Sequence, residues 1–405
     1  MLLIRIGKSI SAIKNNGWRG VPMILGGLKK FVLPVGEGDV LFVTGGAGDS
    51  SRYRAVHQAE ELGLNGIKSA VVLQDRLFLL PLVKKFKVFV FHRTFFSPKI
   101  QAMIKKIKKQ NKAIIFETDD LVYDPKFLQY MDYFQKLNSL EKKLYENGLG
   151  GEILHDPYVK VCVTSTNFLK NKLEEEGKEV FLTKNKLSRE DVAWAKEIVR
   201  KRAHNRVYER TNKKEEKNGQ ATSIVKLGYF SGTFSHNKDF DSIRSALETI
   251  LEKNPQVELH LAGPLDVDDS LNQKFPQQIK RIPFAPRKEH FENISQMDIN
   301  LAPLEVDNPF CQAKSELKFF EAGILEVPTV ASGTDTFLEA IEDGVDGFVA
   351  KNENEWKEKL QKLIDDQEFR EQMGKRAWEK TIKNHTTEKA ENQKYYDYLR
   401  KVIGH

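Results

Sequence analysis

Three carboxylates in four residues, Glu117, Asp119 and Asp120, follow directly on the apolar run Ala113–Phe116. Like charges crowded at the carboxyl end of a strand repel one another, so folding alone gives little reason for them. A loop that touches a reacting group, holds a cation or caps the next helix gives one. His92-Arg93 stand in the same position after Val88–Phe91. Asp119, Asp120 and His92 are therefore the catalytic candidates. Earlier, Gly45-Gly46-Ala47-Gly48 joins the strand Asp39–Thr44 to a helix read over Ser50–Leu62. Free backbone N–H groups at such a turn can hold a phosphate, and nearby arginines add positive charge. Gly46, Gly48, Arg52 and Arg54 form a candidate acceptor or phosphate loop, with a plain tight turn as the alternative. A dinucleotide fingerprint needs glycine at 51, where Ser51 stands, and Asp75 falls further than about 20 residues on. A dehydrogenase is disfavoured.

The second half repeats the arrangement. Gly228 through Phe240 runs from a strand into a helix, and its small residues admit close backbone approach. Gly232, Thr233, His236 and Lys238 could meet an anionic ligand there; a glycine-rich turn and a surface histidine are the alternative. The longest informative stretch opens with Asp298–Glu305 and runs through Asn308–Gly323 to Val327–Ser332. A buried strand leads into a polar loop and then a helix beginning near Lys314–Glu316, whose N-terminus suits phosphate. Lys314, Ser315, Glu316, Leu317 and Lys318 are candidates at that start. Glu321, further along, could accept hydrogen bonds from ribose hydroxyls; taken alone it reads as a solvated helix acid.

These residues need scaffolds. Apolar runs at Asp39–Thr44, Ser69–Gln74, Val88–Phe91, Ala113–Phe116 and Val159–Thr164 alternate with helical stretches, among them the lysine-rich Ser97–Asn111. Alternation restarts at Ile224–Phe230 and continues to Gly347–Val349, after which Asn354–Asp365, Gln367–His385 and Thr387–Ile403 read as helices. Strand–helix alternation specifies doubly wound parallel sheets, and 405 residues exceed one core. The expected organisation is a basic amphipathic segment 1–36, a Rossmann-like domain 37–190, a helix and linker 191–221, a second Rossmann-like domain 222–385 and a last helix 386–405. Such pairs bind ligands in the cleft they face, at the carboxyl ends of strands.

Two cysteines, Cys162 and Cys311, give neither a disulfide framework nor metal spacing, which fits a reducing cytoplasm. The net charge of +7 is modest, yet residues 1–36 carry Arg5, Lys8, Lys14, Arg19, Lys29 and Lys30 with no acid. That segment suits either an anionic membrane face or packing on the body of the protein. Mixed charge elsewhere and no recognised motif argue against nucleic acid.

Residues 314–350 resemble the donor-binding signature of glycosyltransferase family 4, the "group 1" family of GT-B fold. Gly228–Phe240 and Asp298–Glu305 are similar to a bacterial branch associated with cell-surface polysaccharide synthesis, as are the Arg52-Tyr53-Arg54, Phe116–Leu121 and Val163–Thr166 segments. The resemblance implies a GT-B architecture with the C-terminal helix crossing back to the first domain. It implies a retaining enzyme that moves a sugar from a nucleotide-diphosphate sugar to a glycan or lipid-linked acceptor, without metal or cofactor. Lys238 and Lys314 would meet the diphosphate and Glu321 the ribose. The family's first paired glutamate falls on Ala313, and its loop arginine on Thr233, so those roles stay open. A GT-B sugar-nucleotide epimerase and a non-catalytic nucleotide-sugar-binding or scaffolding protein are the alternatives. The expected location is cytoplasmic, extending to the inner face of the membrane.

Overall fold

A computed structural model describes residues 35–404 apart from Ala47, 132–133, 135–136, 146, 213–223, 233–236, 264 and 266–268. The chain has a GT-B fold: two six-stranded parallel sheets with flanking helices, one in each of two compact units. The first unit takes the described residues up to Leu128, then Leu137–Lys186 and Glu391 onward; the second takes Gln129–Lys136 and Leu187–Ala390. The basic segment 1–36 lies outside the described residues except for its last two positions, as does the charged stretch 213–219.

In the first unit the strands are β1 (Val40–Thr44), β2 (Ser69–Leu73), β3 (Val88–His92), β4 (Ala113–Thr118), β5 (Val161–Thr164) and β6 (Glu179–Leu182), in the order β2-β1-β3-β4-β5-β6. Strands β1, β3 and β5 are buried at every position, the signature of a parallel sheet covered on both faces. Alternation splits them. Val40, Phe42, Val88, Val90, Ile115, Val161 and Val163 share one core with Ala55, Leu62 and Ile67 and with Tyr395, Tyr396, Leu399 and Ile403 of the last helix, Gln393–Ile403. The opposite-pointing Leu41, Val43, Phe89, Phe91, Ile114 and Phe116 are buried too.

The Pro98–Lys109 helix follows from its sequence. Ser97 caps it by accepting from the Ile100 N–H, Pro98 opens it, and Ile100, Met103, Ile104 and Ile107 bury one stripe. Strand β6 went unread in the sequence: its apolar run, Val180–Leu182, is three residues long, at a sheet edge with Glu179 exposed. The helix read over Ser50–Leu62 is three pieces, with a π-helical turn at Arg52–His57 between α-helical Asp49–Ser51 and Gln58–Leu64.

Helix over the whole of Thr387–Ile403 is corrected to a 3-10 turn, Thr387–Lys389, a break, and then Gln393–Ile403. The break coincides with the return to the first unit at Glu391. The last helix is held there by Glu61, whose carboxylate accepts from the Tyr396 hydroxyl and Asn392 Nδ2, each at 2.6 Å. Burial raises the Glu61 pKa, and those two hydrogen bonds oppose the rise. Tyr396→Phe should cost about 1–3 kcal/mol, because a buried acceptor loses a donor. Denaturant unfolding checks it, and an unchanged midpoint would reject this latch.

The second unit holds β7 (Val225–Phe230), β8 (Val257–Ala262), β9 (Ile279–Ile282), β10 (Ile299–Ala302), β11 (Thr329–Ser332) and β12 (Phe348–Ala350), in the order β12-β11-β10-β7-β8-β9. Its core joins Leu227, Tyr229, Leu259, Leu301 and Val330 to Leu247, Ile250, Leu360 and Leu363 of the covering helices. Helix Arg189–Asn212, the front of the segment expected as helix and linker, belongs to this unit.

Candidate functional site

In an open α/β sheet, ligands bind beyond the carboxyl ends of the strands where the strand order reverses direction. That point lies between β1 and β3 in the first sheet and between β7 and β10 in the second. His92, at the end of β3, lies at the first, and Lys318 reaches the second at the end of β7.

In the first unit, register places Thr44 beside His92 and His92 beside Glu117 across β1, β3 and β4. His92 is 1% exposed. Its Nδ1 lies 2.9 Å from Thr44 Oγ1 and its Nε2 3.0 Å from Ser50 Oγ. Ser50 Oγ donates to Asp119 Oδ1 and Oδ2 at 3.0 and 2.8 Å. Arg93 has a left-handed backbone, φ 44°, an uncommon conformation for a non-glycine residue. Its guanidinium meets Asp119 at 2.5 Å and Asp120 at 3.1 Å. Burial opposes the charge on Arg93, but Asp119 and Asp120 more than offset this and raise its pKa. Burial likewise pushes Asp119 up, while Arg93 and His92 pull it well below the carboxylate range. A methyl on Gly45 would sit 1.9 Å from the Arg93 carbonyl, so Gly45 permits this close approach, whereas Gly46 and Gly48 face open space.

Several expectations are revised by this geometry. Arg54 is fully buried. Its Nε donates to Glu117 Oε1 at 2.6 Å, and its remaining nitrogens donate to Thr183 O, Asn185 Oδ1 and Thr183 Oγ1. It therefore braces the sheet rather than joining a phosphate loop. Arg52 is half-exposed beside Asp49 at 3.3 Å and stays at the helix start with Gly46 and Gly48. Asp120 is a structural cap: its carboxylate accepts from the Leu121 N–H as well as from Arg93. The acid crowding is relieved by two arginines, with Asp119 the most accessible of the three carboxylates. Buried as it is, His92 faces Ser50 and Asp119 through its Nε2. Ser50 and Arg93 were not among the expected site residues, and only the adjacency of Arg93 to His92 pointed to either.

In the second unit, Lys318 reaches from the short helix Leu317–Gly323 to the end of β7. Its ammonium donates to the Phe230 carbonyl and lies 4.6 Å from the centre of the Tyr229 ring. Asn300 on β10 fixes the helix beneath it, donating to the Lys318 carbonyl at 3.0 Å. Among the described residues no carboxylate forms an ion pair with Lys318. Burial lowers its pKa to about 8, against the more distant pull of Asp239 and Glu321. Lys318 is half-buried, and a cation partly withdrawn from water without a close counter-charge is costly unless an anion arrives.

Glu321 is held by Arg287, with His290 Nε2 at 3.8 Å. Arg287 also meets Asp191 at 3.1 Å and lies over the Phe291 ring at 4.5 Å. A fixed carboxylate thus replaces the solvated helix acid. Ala313 is fully buried, so no side chain there can serve as a first acid. Glu316 is fully buried and faces His385 at 3.7 Å; it packs inward and is dropped from the ligand-contact set. The helix begins at Leu317, so Lys314 and Ser315 occupy the loop before it, both half-buried. Lys238 is exposed in the turn Asn237–Asp241, and Gly232 is exposed beyond β7; Thr233 and His236 lie outside the described residues. Gly263, at φ 81°, passes the Ser231 carbonyl so closely that a methyl would sit 2.1 Å from it.

Asp239, Glu305 and Cys311 bring one ligand atom each within 4.8 Å of one another, the three-ligand set found among the described residues. Cys311 Sγ donates to Asp239 Oδ1 at 3.2 Å, and burial raises the thiol pKa. The trio is satisfied as a hydrogen-bonded loop clamp, and a hard cation would favour more oxygen ligands than it offers.

Residues 241–393 match a family model described as glycosyl transferase-like. No curated protein matches the chain in sequence. Three solved structures align over nearly all of it at low identity. Anabaena Alr3699/HepE in complex with UDP and glucose shows 13% identity and a TM-score of 0.55, covering 90% of this chain and all of that one. A glycosyltransferase from Rickettsia africae shows 12% identity and 0.58, covering 91% and 99%. Sucrose-phosphate synthase from Thermosynechococcus elongatus shows 12% identity and 0.56, covering 90% and 99%. At these identities the likeness establishes the shared fold.

Proposed function

We propose that the chain is a retaining glycosyltransferase, moving a sugar from a nucleotide-diphosphate sugar to a glycan or lipid-linked acceptor in cell-surface polysaccharide synthesis. The observation that carries this reading is Lys318: a half-buried ammonium beside the Phe230 carbonyl, with no ion-paired carboxylate among the described residues, at the strand-order reversal of the second sheet. The glycosyl transferase-like match over residues 241–393 and the UDP and UDP-glucose complexes of the Anabaena relative support it.

In this reading the diphosphate lies between Lys318, Lys238 and Lys314, with Ser315, Leu317 and Gly232 along its path. As the glycosidic bond lengthens, negative charge grows on the leaving phosphate, so fixed cations bind the transition state more tightly than the ground state. No metal takes part. Glu321, oriented by Arg287, accepts the ribose hydroxyls. In the first unit, Asp119 and Ser50 contact the reacting sugar or acceptor, positioned by His92 and Arg93. The leaving phosphate accepts the acceptor proton.

UDP, GDP, ADP and dTDP should be compared by thermal shift. One should add about 2.7 kcal/mol at 100 times its Kd, and Glu321→Ala should remove most of that shift. If none of the four raises the Tm, the nucleotide reading fails. Conversion of the matching sugar nucleotide without any acceptor would favour an epimerase instead.

A further inference from the structure

From Arg76 to Phe116 the sequence holds 11 lysines and arginines and not one aspartate or glutamate. The sugar-transfer reading uses only Arg93 of these. Most of the rest fall on one layer of the first unit, the 3-10 turn Leu80–Lys84 and the Pro98–Lys109 helix packed against it. The layer is stitched together by its own lysines. Lys99 Nζ donates to the Arg76 carbonyl at 3.2 Å, Lys106 to Leu80 at 3.3 Å and Lys112 to Val83 at 2.6 Å. Those bonds pin both ends of a short loop whose tip is Leu77-Phe78. The two side chains are 67% and 65% exposed, the most exposed of the large apolar residues described. Leu79, the next residue, is buried at 1% and anchors the tip. On or beside the same turn and helix, Lys84, Lys85, Lys105 and Lys109 are exposed, and Lys105 and Lys109 stand one turn apart on the helix.

We infer that this layer is a docking surface for an anionic lipid bilayer. The lysines would sit at the headgroups and the Leu77-Phe78 tip would enter the interface. Basic charge alone would suit any polyanion. A pair of exposed apolar side chains on the same layer as the lysines gains free energy only where there is an apolar phase to enter. Lysines near an anionic surface add attraction that salt screens. The surface lies wholly within the described residues, apart from segment 1–36, and stands independently of the sugar-transfer reading.

The full chain should co-sediment with phosphatidylcholine vesicles containing phosphatidylglycerol, and much less with phosphatidylcholine alone. Reversing four charges (K84E, K85E, K105E and K109E together) should lower the partition coefficient by about 100-fold or more. L77D with F78D should lower it by about 10-fold or more. The melting temperature should hold in both, since exposed positions change stability little. Equal pelleting of both variants and the parent overturns the inference, as does failure of the parent to bind anionic vesicles. If the lysine reversal abolishes binding while L77D/F78D leaves it intact, the surface serves a soluble polyanion and the bilayer assignment falls.

Discussion

Replacing Lys318 with methionine is expected to make the unliganded protein more stable and to weaken nucleoside-diphosphate binding by about 100-fold. The two effects share one cause. Burial lowers the Lys318 pKa from 10.5 to about 8. Keeping the ammonium charged at neutral pH therefore costs about 3 kcal/mol relative to the unfolded chain. Methionine fills similar volume without charge. Its loss of the hydrogen bond to the Phe230 carbonyl returns roughly 1–2 kcal/mol of that, leaving a net gain of about 1–2 kcal/mol. Because the folded pKa is the lower one, the unfolded state binds more protons between about pH 8 and 10.5, and parent stability rises with pH across that window. The variant lacks this rise, so its advantage at pH 7 should shrink by pH 10 in urea unfolding.

Binding reverses the preference. A diphosphate supplies the missing counter-charge and favours the ammonium. Affinity should fall as pH rises above about 8, and binding near pH 9 should draw a proton from the buffer, as calorimetry in buffers of different ionisation enthalpy would detect. A Lys318→Met protein that is less stable at pH 7 and binds UDP as the parent does would sink the assignment.

The two doubly wound sheets were legible because parallel strands buried on both faces write continuous apolar runs such as Val88–Phe91, bounded by polar turns. Strand β6 was not, since its apolar run, Val180–Leu182, is only three residues long and the edge strand opens on exposed Glu179. The break before Gln393 leaves no mark either, because Thr387–Asn392 has neither glycine nor proline. At the candidate site, sequence named the loops beyond the strand ends but carried no information on the direction of individual side chains. Lys318 lies one turn before Glu321 on the same helix, yet Lys318 reaches the end of β7 while Glu316 turns inward to His385. Partners remote in sequence escape local reading for the same reason: Arg287 fixes Glu321 from 34 residues away.

Arg54 gives the largest expected effect on stability. Its guanidinium ties the π-helical turn to Glu117 at the end of β4 and to Thr183 and Asn185 just past β6. Both members of the ion pair have fully buried side chains. Removing one partner strands the other charge in a dry site, which typically costs 3–5 kcal/mol. Arg54→Met should therefore lose about that much. Burial already raises the Glu117 pKa even with Arg54 in place, so Glu117 in the variant should fold protonated, and the loss should shrink as pH falls toward 5. Arg54→Met with Glu117→Met should recover a good part of it, because an apolar pair leaves no charge to desolvate. A double-mutant cycle by denaturant unfolding gives the coupling, expected above about 1 kcal/mol. A phosphate-contacting arginine predicts the reverse pattern, with stability nearly unchanged in Arg54→Met and ligand affinity lost. Arg54→Lys separates the two further. A lysine keeps the charge for a ligand but cannot satisfy four acceptors in one plane, so it should still destabilise the first sheet while leaving the nucleotide binding proposed for the second unit unaltered.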